Sequence, residues 1–149
     1  MERMKPSHSE PPALPEALLQ HMWAAARAAH ARAYAPYSRF AVGAAIVDEQ
    51  GAIHAGCNVE NAAYPQGWCA EASALSALVL SGARQVRGLL VVGSGGSWIT
   101  PCGGCRQKLR EFAEPDTPIV SASLQALGPV YSLEQLLPHS FGPAHLEQP

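Results

Sequence analysis

The chain has 149 residues, ten basic against twelve acidic side chains, and a formal net charge of −2. That length supports one folded domain with its own core, and a balanced charge without a basic stripe excludes a phosphate-backbone partner such as a nucleic acid. The longest apolar stretches, at 40–47 and 88–93, fall far short of the ~20 residues that cross a bilayer, so no membrane partner is expected.

Residues 1–14 carry prolines and scattered polar groups, and are expected to be disordered or loosely docked ahead of a single domain over 15–149. They do not read as a secretory signal, which needs an apolar run and a cleavage site. A reducing cytoplasm is therefore expected, where cysteines serve metal or redox chemistry more often than disulfides. Leu14, Leu18, Met22, Ala25 and Ala29 recur at three- and four-residue spacing, predicting an amphipathic helix that ends near Tyr34. Pro36 stops it, because the residue before a proline avoids helical angles.

Residues 40–47 are continuously apolar and predict a strand, which Glu49-Gln50-Gly51 turns back into a second strand over 52–56. An irregular segment follows as far as Trp68. A helix is expected from Cys69 to Ser81, a buried strand over 88–93, and a second helix over about 102–112. Ile119-Val120 and Pro129-Val130-Tyr131 read as further strands. Ser132 and Gln135 match a capping box, so a short helix should run to Leu137. Strands alternating with helices indicate an α/β domain with helices packed on the sheet faces.

The chemistry lies in Cys69-Ala70-Glu71 and Pro101-Cys102-Gly103-Gly104-Cys105. Both cysteine groups fall where a loop gives way to a helix start, whose free N–H groups and partial positive charge favour thiolate over thiol. Cys102 and Cys105 stand one helical turn apart and can grip one ion. Three thiolates on Zn²⁺ leave a fourth position open, and an open site beside a carboxylate activates water where a closed one only braces the fold. Glu71 is the carboxylate placed to move protons there. Two plainer readings stay open on spacing alone. Cys57 or His54 could close the site as a structural zinc, and a C-x-x-C pair could be a redox dithiol. Asn58 and Glu60, one residue apart in the irregular segment, suit a diol, or they cap a turn and face water. Phe40 reads as core or as pocket wall. Phe141, among Gly and Pro near the C-terminus, belongs to no regular element and is expected to be buried against something.

Taken together, these residues resemble the small, three-cysteine cytidine deaminases. The resemblance runs from about Tyr34 to Leu146 and includes Ala35-Pro36-Tyr37-Ser38, Phe40-Ala41-Val42-Gly43, Cys57-Asn58-Val59-Glu60-Asn61, the two cysteine motifs, and Leu136-Leu137-Pro138-His139-Ser140-Phe141-Gly142. It implies a three-layer α/β/α fold with a central mixed five-stranded sheet. It also implies a homotetramer with shared active sites and hydrolytic deamination of cytidine and 2′-deoxycytidine in pyrimidine salvage. By the same resemblance Cys69, Cys102 and Cys105 hold zinc, and Glu71 shuttles protons. Asn58 and Glu60 meet the ribose, Phe40, Val42 and Ala70 contact the nucleoside, and Phe141 reaches into a neighbouring subunit's site.

One position departs from the resembled pattern. The residue after the glutamate is usually arginine there, and here it is Ala72. Position 72 lies three residues after Cys69 on the same helical face. An arginine there offsets the net negative charge that three thiolates leave on zinc. Three outcomes follow. Another donor compensates, the site is tuned to a bulkier cytosine nucleoside of the blasticidin S kind, or zinc merely braces an assembly.

Overall fold

The computed structural model describes residues 10–147. The expectation of disorder over 1–14 therefore lies largely outside the described residues. Residues 10–15 have no regular structure, and Leu14 packs against Gly88 and the core. A first helix, α1 (Glu16–His30), leads to the hairpin β1 (Val42–Asp48) and β2 (Ile53–Cys57). Then come α2 (Ala70–Leu80), β3 (Val86–Gly93), α3 (Gly103–Arg110), β4 (Pro118–Ala122), β5 (Leu127–Ser132) and the single-turn α4 (Leu133–Leu136).

The sheet order is β2-β1-β3-β4-β5, with β3 and β4 parallel and every other neighbouring pair antiparallel. That is the expected mixed five-stranded sheet. Its central strands are apolar on both faces because both are covered. Ala44, Ile46 and Leu89 face a core formed with Ala74, Leu75 and Leu78 of α2 and Leu109 of α3. The alternate residues Ala45, Val47, Leu90 and Val92 face Met22 and Ala26 of α1. Period-two alternation thus splits one apolar run between two helix layers. The result is an α/β/α sandwich.

Two glycines set how closely the helices approach. A β-carbon on Gly43 would stand 2.0 Å from the Ala26 carbonyl oxygen, so α1 rests directly on β1. A β-carbon on Gly56 would stand 2.3 Å from the Ala74 nitrogen and 2.5 Å from the Ala70 oxygen, so α2 seats its first turns against β2. The N-terminus of α2 is thereby fixed against the sheet.

Element boundaries differ from expectation by a few residues, and two of the differences bear on the site. Helix α1 ends at His30, four residues before Tyr34. Tyr34 instead donates its N–H to the Asn58 carbonyl at 3.0 Å and accepts the Glu60 N–H at 2.8 Å. That long-range pairing outweighs the local helical preference of the alanines. Strand β1 begins at Val42, leaving Phe40 outside it and exposed. The capping box forms as expected, with Ser132 Oγ accepting the Gln135 N–H at 3.1 Å and Gln135 Oε1 accepting the Ser132 N–H at 2.8 Å.

Candidate active site

The N-termini of α2 and α3 converge. Cys69 is the N-cap residue of α2 and Cys102 that of α3, each with extended backbone angles, and Cys105 lies in the first turn of α3. The three sulfurs fall within 4.8 Å of one another, and Cys69 Sγ and Cys102 Sγ are 3.9 Å apart. Zinc–sulfur bonds of 2.3 Å in a tetrahedron require sulfurs about 3.8 Å apart. The donor set fits Zn²⁺ in both chemistry and spacing.

No fourth protein ligand closes this cluster among the described residues. His54, one candidate, is paired with Asp48, Nε2 to Oδ2 at 2.7 Å. Cys57, the other, ends β2, and its sulfur is not among those that cluster with Cys69, Cys102 and Cys105. The closed structural-zinc alternative therefore loses both residues proposed for it. The protonation pattern of the cysteines also suits a metal. Hydrogen bonding from the Cys105 thiol, with help from Cys102 and the positive charge of Lys108, holds Cys69 well below the ordinary thiol range despite its partial burial. Cys105 is pushed up, first by holding its proton toward Cys69 and then by its own burial.

Glu71 is 6% exposed, in the first turn of α2. Burial raises its carboxyl above the ordinary range, and the Cys69 charge adds to the rise. It lines the same cavity as Cys69 and Cys102, with a volume of about 480 Å³. Phe40, Val42, Asn58, Glu60 and Ala70 line it too. Six residues from three separate stretches of the chain thus meet the cysteine cluster at one opening.

Asn58 and Glu60 are already at work within the chain. Asn58 Oδ1 accepts the Val42 N–H at 2.8 Å, and its amide donates to the Phe40 carbonyl at 2.9 Å. Glu60 Oε1 accepts the N–H groups of Tyr37 and Ser38 at 2.9 and 3.0 Å, and Oε2 accepts the Ser38 hydroxyl. These bonds, the Ser38 hydroxyl first among them, hold the Glu60 carboxyl below its usual range. An amide carries two N–H donors and a carboxylate about four lone-pair sites. Each side chain therefore keeps capacity for a ligand hydroxyl.

Phe141 lies outside its own chain's cavity. It is 57% exposed, stacks on His145 with ring centroids 5.1 Å apart, and its carbonyl accepts the Gln107 amide at 2.9 Å. Sequence reasoning missed Tyr64, Trp68, Ile99 and Thr100, which also line the cavity. For Trp68, Ile99 and Thr100 the signal was adjacency, since Trp68 directly precedes Cys69 and Ile99-Thr100 directly precede Pro101-Cys102.

Arg106 does not hydrogen-bond the cysteine sulfurs in place of the arginine that Ala72 replaces. The Ala72 side chain is buried, and the Arg106 guanidinium is spent elsewhere. It donates to the carbonyls of Pro101 and Leu136, both at 2.7 Å, and to the Thr100 hydroxyl at 2.8 Å. Arg106 ties the cysteine-bearing loop to α4.

A mixed sheet between helix layers, with an open tri-cysteine cluster and a buried glutamate at two helix N-termini, defines a zinc-dependent deaminase architecture. A family model for the cytidine and deoxycytidylate deaminase zinc-binding region matches residues 16–121, and the chain belongs to that family. It is 37% identical to a cytidine deaminase of Sporosarcina psychrophila over 83% of this chain and 90% of that one. It is 39% identical to one of Halalkalibacterium halodurans over 73% and 83%. The crystal structure of cytidine deaminase from Burkholderia pseudomallei superposes with a TM-score of 0.77 at 42% identity, covering 82% of this chain and 98% of that one. The Mycobacterium tuberculosis enzyme gives 0.75 at 38% identity, covering 84% and 98%.

Proposed function

We propose that this chain, as one deaminase domain over residues 15–149, hydrolyses cytidine and 2′-deoxycytidine to uridine and 2′-deoxyuridine with release of ammonia, as a step of pyrimidine salvage in the cytoplasm. The observation that carries this reading is the buried Glu71 carboxyl sharing one cavity with the cysteine cluster and with Asn58 and Glu60. Zinc, when held by Cys69, Cys102 and Cys105, supplies the Lewis acidity that makes water a competent nucleophile near neutral pH.

The protein's own groups do the rest. Overall, water adds to the amino-bearing carbon, one of its protons ends on the adjacent ring nitrogen, and the other leaves with the amino group as ammonia. Glu71 carries both protons. Burial raises its pKa above the ordinary carboxyl range, the direction that suits a group which must donate as well as accept a proton. Phe40 and Val42 flank the base, Ala70 meets it through the backbone at the start of α2, and the spare capacity of Asn58 and Glu60 takes the ribose hydroxyls. Phe141 completes the site from a neighbouring subunit of a homotetramer, which accounts for its exposure and its distance from the cavity of its own chain.

The deciding experiment measures ammonia release from cytidine, deoxycytidine, cytosine and larger cytosine nucleosides, with zinc content measured in parallel. Glu71→Gln should lose deamination by roughly 10²–10⁴-fold, the usual contribution of a general acid–base, while keeping its zinc. A Glu71→Gln protein that remains active with cytidine would overturn the assignment.

A further inference from the structure

We infer that the ammonium of Lys108 is the charge partner of the tri-cysteine zinc centre, taking the place of a side chain that Ala72 cannot supply. Lys108 is the only lysine among the described residues and lies on α3, three residues after Cys105 and therefore on the same helical face. The residue is solvent-exposed, but its Nζ does not extend away from the helix. It folds back along the helix to 3.6 Å from where a β-carbon of Gly104 would stand. Gly104 lies between the ligands Cys102 and Cys105, so the ammonium hovers over the turn that carries both.

That position runs against the helix dipole, whose N-terminal end repels a cation. The three thiolates, when they hold zinc, would supply the net negative charge that offsets this repulsion. Lys108 makes no ion pair with a carboxylate among the described residues, where only His54 and Asp48 approach closely enough. The other cations near α3 are committed. Arg106 is bound to Pro101, Thr100 and Leu136, and Arg110 donates to the Ser140 hydroxyl at 3.0 Å. Zinc with three thiolates carries a net charge of −1, and a nearby cation lowers the cost of gathering those thiolates and leaves the metal a stronger Lewis acid.

The inference rests on the zinc-binding reading of the cluster, and the test separates the two. Stoichiometric zinc in the wild-type protein, measured by metal analysis, checks that reading first. Zinc affinity is then measured at fixed pH by competition with a chromogenic chelator, for wild type, Lys108→Met and Lys108→Arg. Lys108→Met should bind zinc roughly fivefold more weakly in low salt, the size expected of one partly screened charge. The deficit should fade in about 1 M salt, where screening is nearly complete. Lys108→Arg should restore the affinity, and thermal melts of the metal-free proteins should coincide, since the lysine has no structural bond to lose. Equal zinc affinity of Lys108→Met and wild type in low salt would overturn the inference. So would a deficit that survives high salt.

Discussion

Asn58 and Val42 are joined across the pocket wall by a 2.8 Å hydrogen bond from the Val42 N–H to Oδ1, and the same side chain donates to the Phe40 carbonyl. The start of β1 is thus held in place by the residue that follows β2, and the two proposed walls for the base hang from one amide. Asn58→Ala removes both bonds and leaves the Val42 N–H without its partner. Stability should fall by about 1–2 kcal/mol, read as a lower denaturant midpoint. The KM for cytidine should rise more than kcat falls, because Phe40 and Val42 position the base and do not handle its protons. An unchanged KM would remove Asn58 from the site.

Gly56 and the first turns of α2 make a second such contact. An alanine at 56 drives a methyl into the backbone at Ala70 and Ala74, where no flexible side chain can give way. Gly56→Ala should therefore cost about 1–3 kcal/mol or more, as overpacking does. It should also displace Cys69 and Glu71, which α2 carries. Zinc occupancy and deamination should drop together, in contrast to Glu71→Gln, which loses only the reaction. Full zinc occupancy in a folded Gly56→Ala protein would show that α2 is not seated by this contact.

Much of this was legible in the sequence for a physical reason. Zinc chemistry needs particular side chains at particular spacings, so Cys69, Glu71, Cys102 and Cys105 announce themselves locally. The alternation of strands and helices was equally plain, since continuous apolar runs such as 40–47 belong in a sheet covered on both faces. Long-range pairing was not legible. Tyr34 leaves the helix because Asn58 and Glu60, far along the chain, bond its backbone. The commitments of Arg106 to Leu136 and of His54 to Asp48 depend on tertiary neighbours. Trp68 and Thr100 face the cavity only because two helix N-termini converge.

The His54–Asp48 pair gives the fold a predictable acid sensitivity. Asp48 is 4% exposed, and burial alone would raise its carboxyl. Hydrogen bonds from His54 and from the Gln50 and Ala52 N–H groups, together with the histidine's charge, outweigh burial, and the net shift is downward from 3.8. A carboxyl whose folded pKa is depressed stabilises the fold above its unfolded value, and that contribution is lost as pH falls through the folded pKa. Unfolding free energy should therefore decline as pH is lowered from about 4, a carboxylate's usual range. Asp48→Asn should be less stable at neutral pH by about 1.5–3 kcal/mol, the scale of a hydrogen bond to a charged group. It should also show a flatter decline in the acid window. Parallel acid-unfolding curves for the two proteins would mean that Asp48 is not the group responsible.

Phe141 supplies the sharpest test of a shared active site. Its ring is stacked on His145 at the surface and does not line the cavity formed by Phe40, Asn58 and Glu71 of the same chain. Tyr34, Tyr37, Tyr64 and Trp68 are also exposed, and three of the four (Tyr37, Tyr64 and Trp68) line the cavity or the adjoining cleft, so the mouth of the site presents aromatic surface that a second subunit could cover. Phe141→Ala should weaken substrate binding by about 1–3 kcal/mol, the worth of one aromatic stacked on a base. Co-assembly then distinguishes the donor of the ring. Glu71→Gln subunits lack the proton carrier but keep Phe141, and Phe141→Ala subunits have the converse defect. If the ring acts across the interface, mixed oligomers contain sites with an intact Glu71 from one chain and an intact Phe141 from its neighbour. A fraction of the activity should then return with the wild-type KM, although neither parent shows it. If the ring serves its own chain, every site in the mixture keeps one defect, and no mixing ratio recovers that KM.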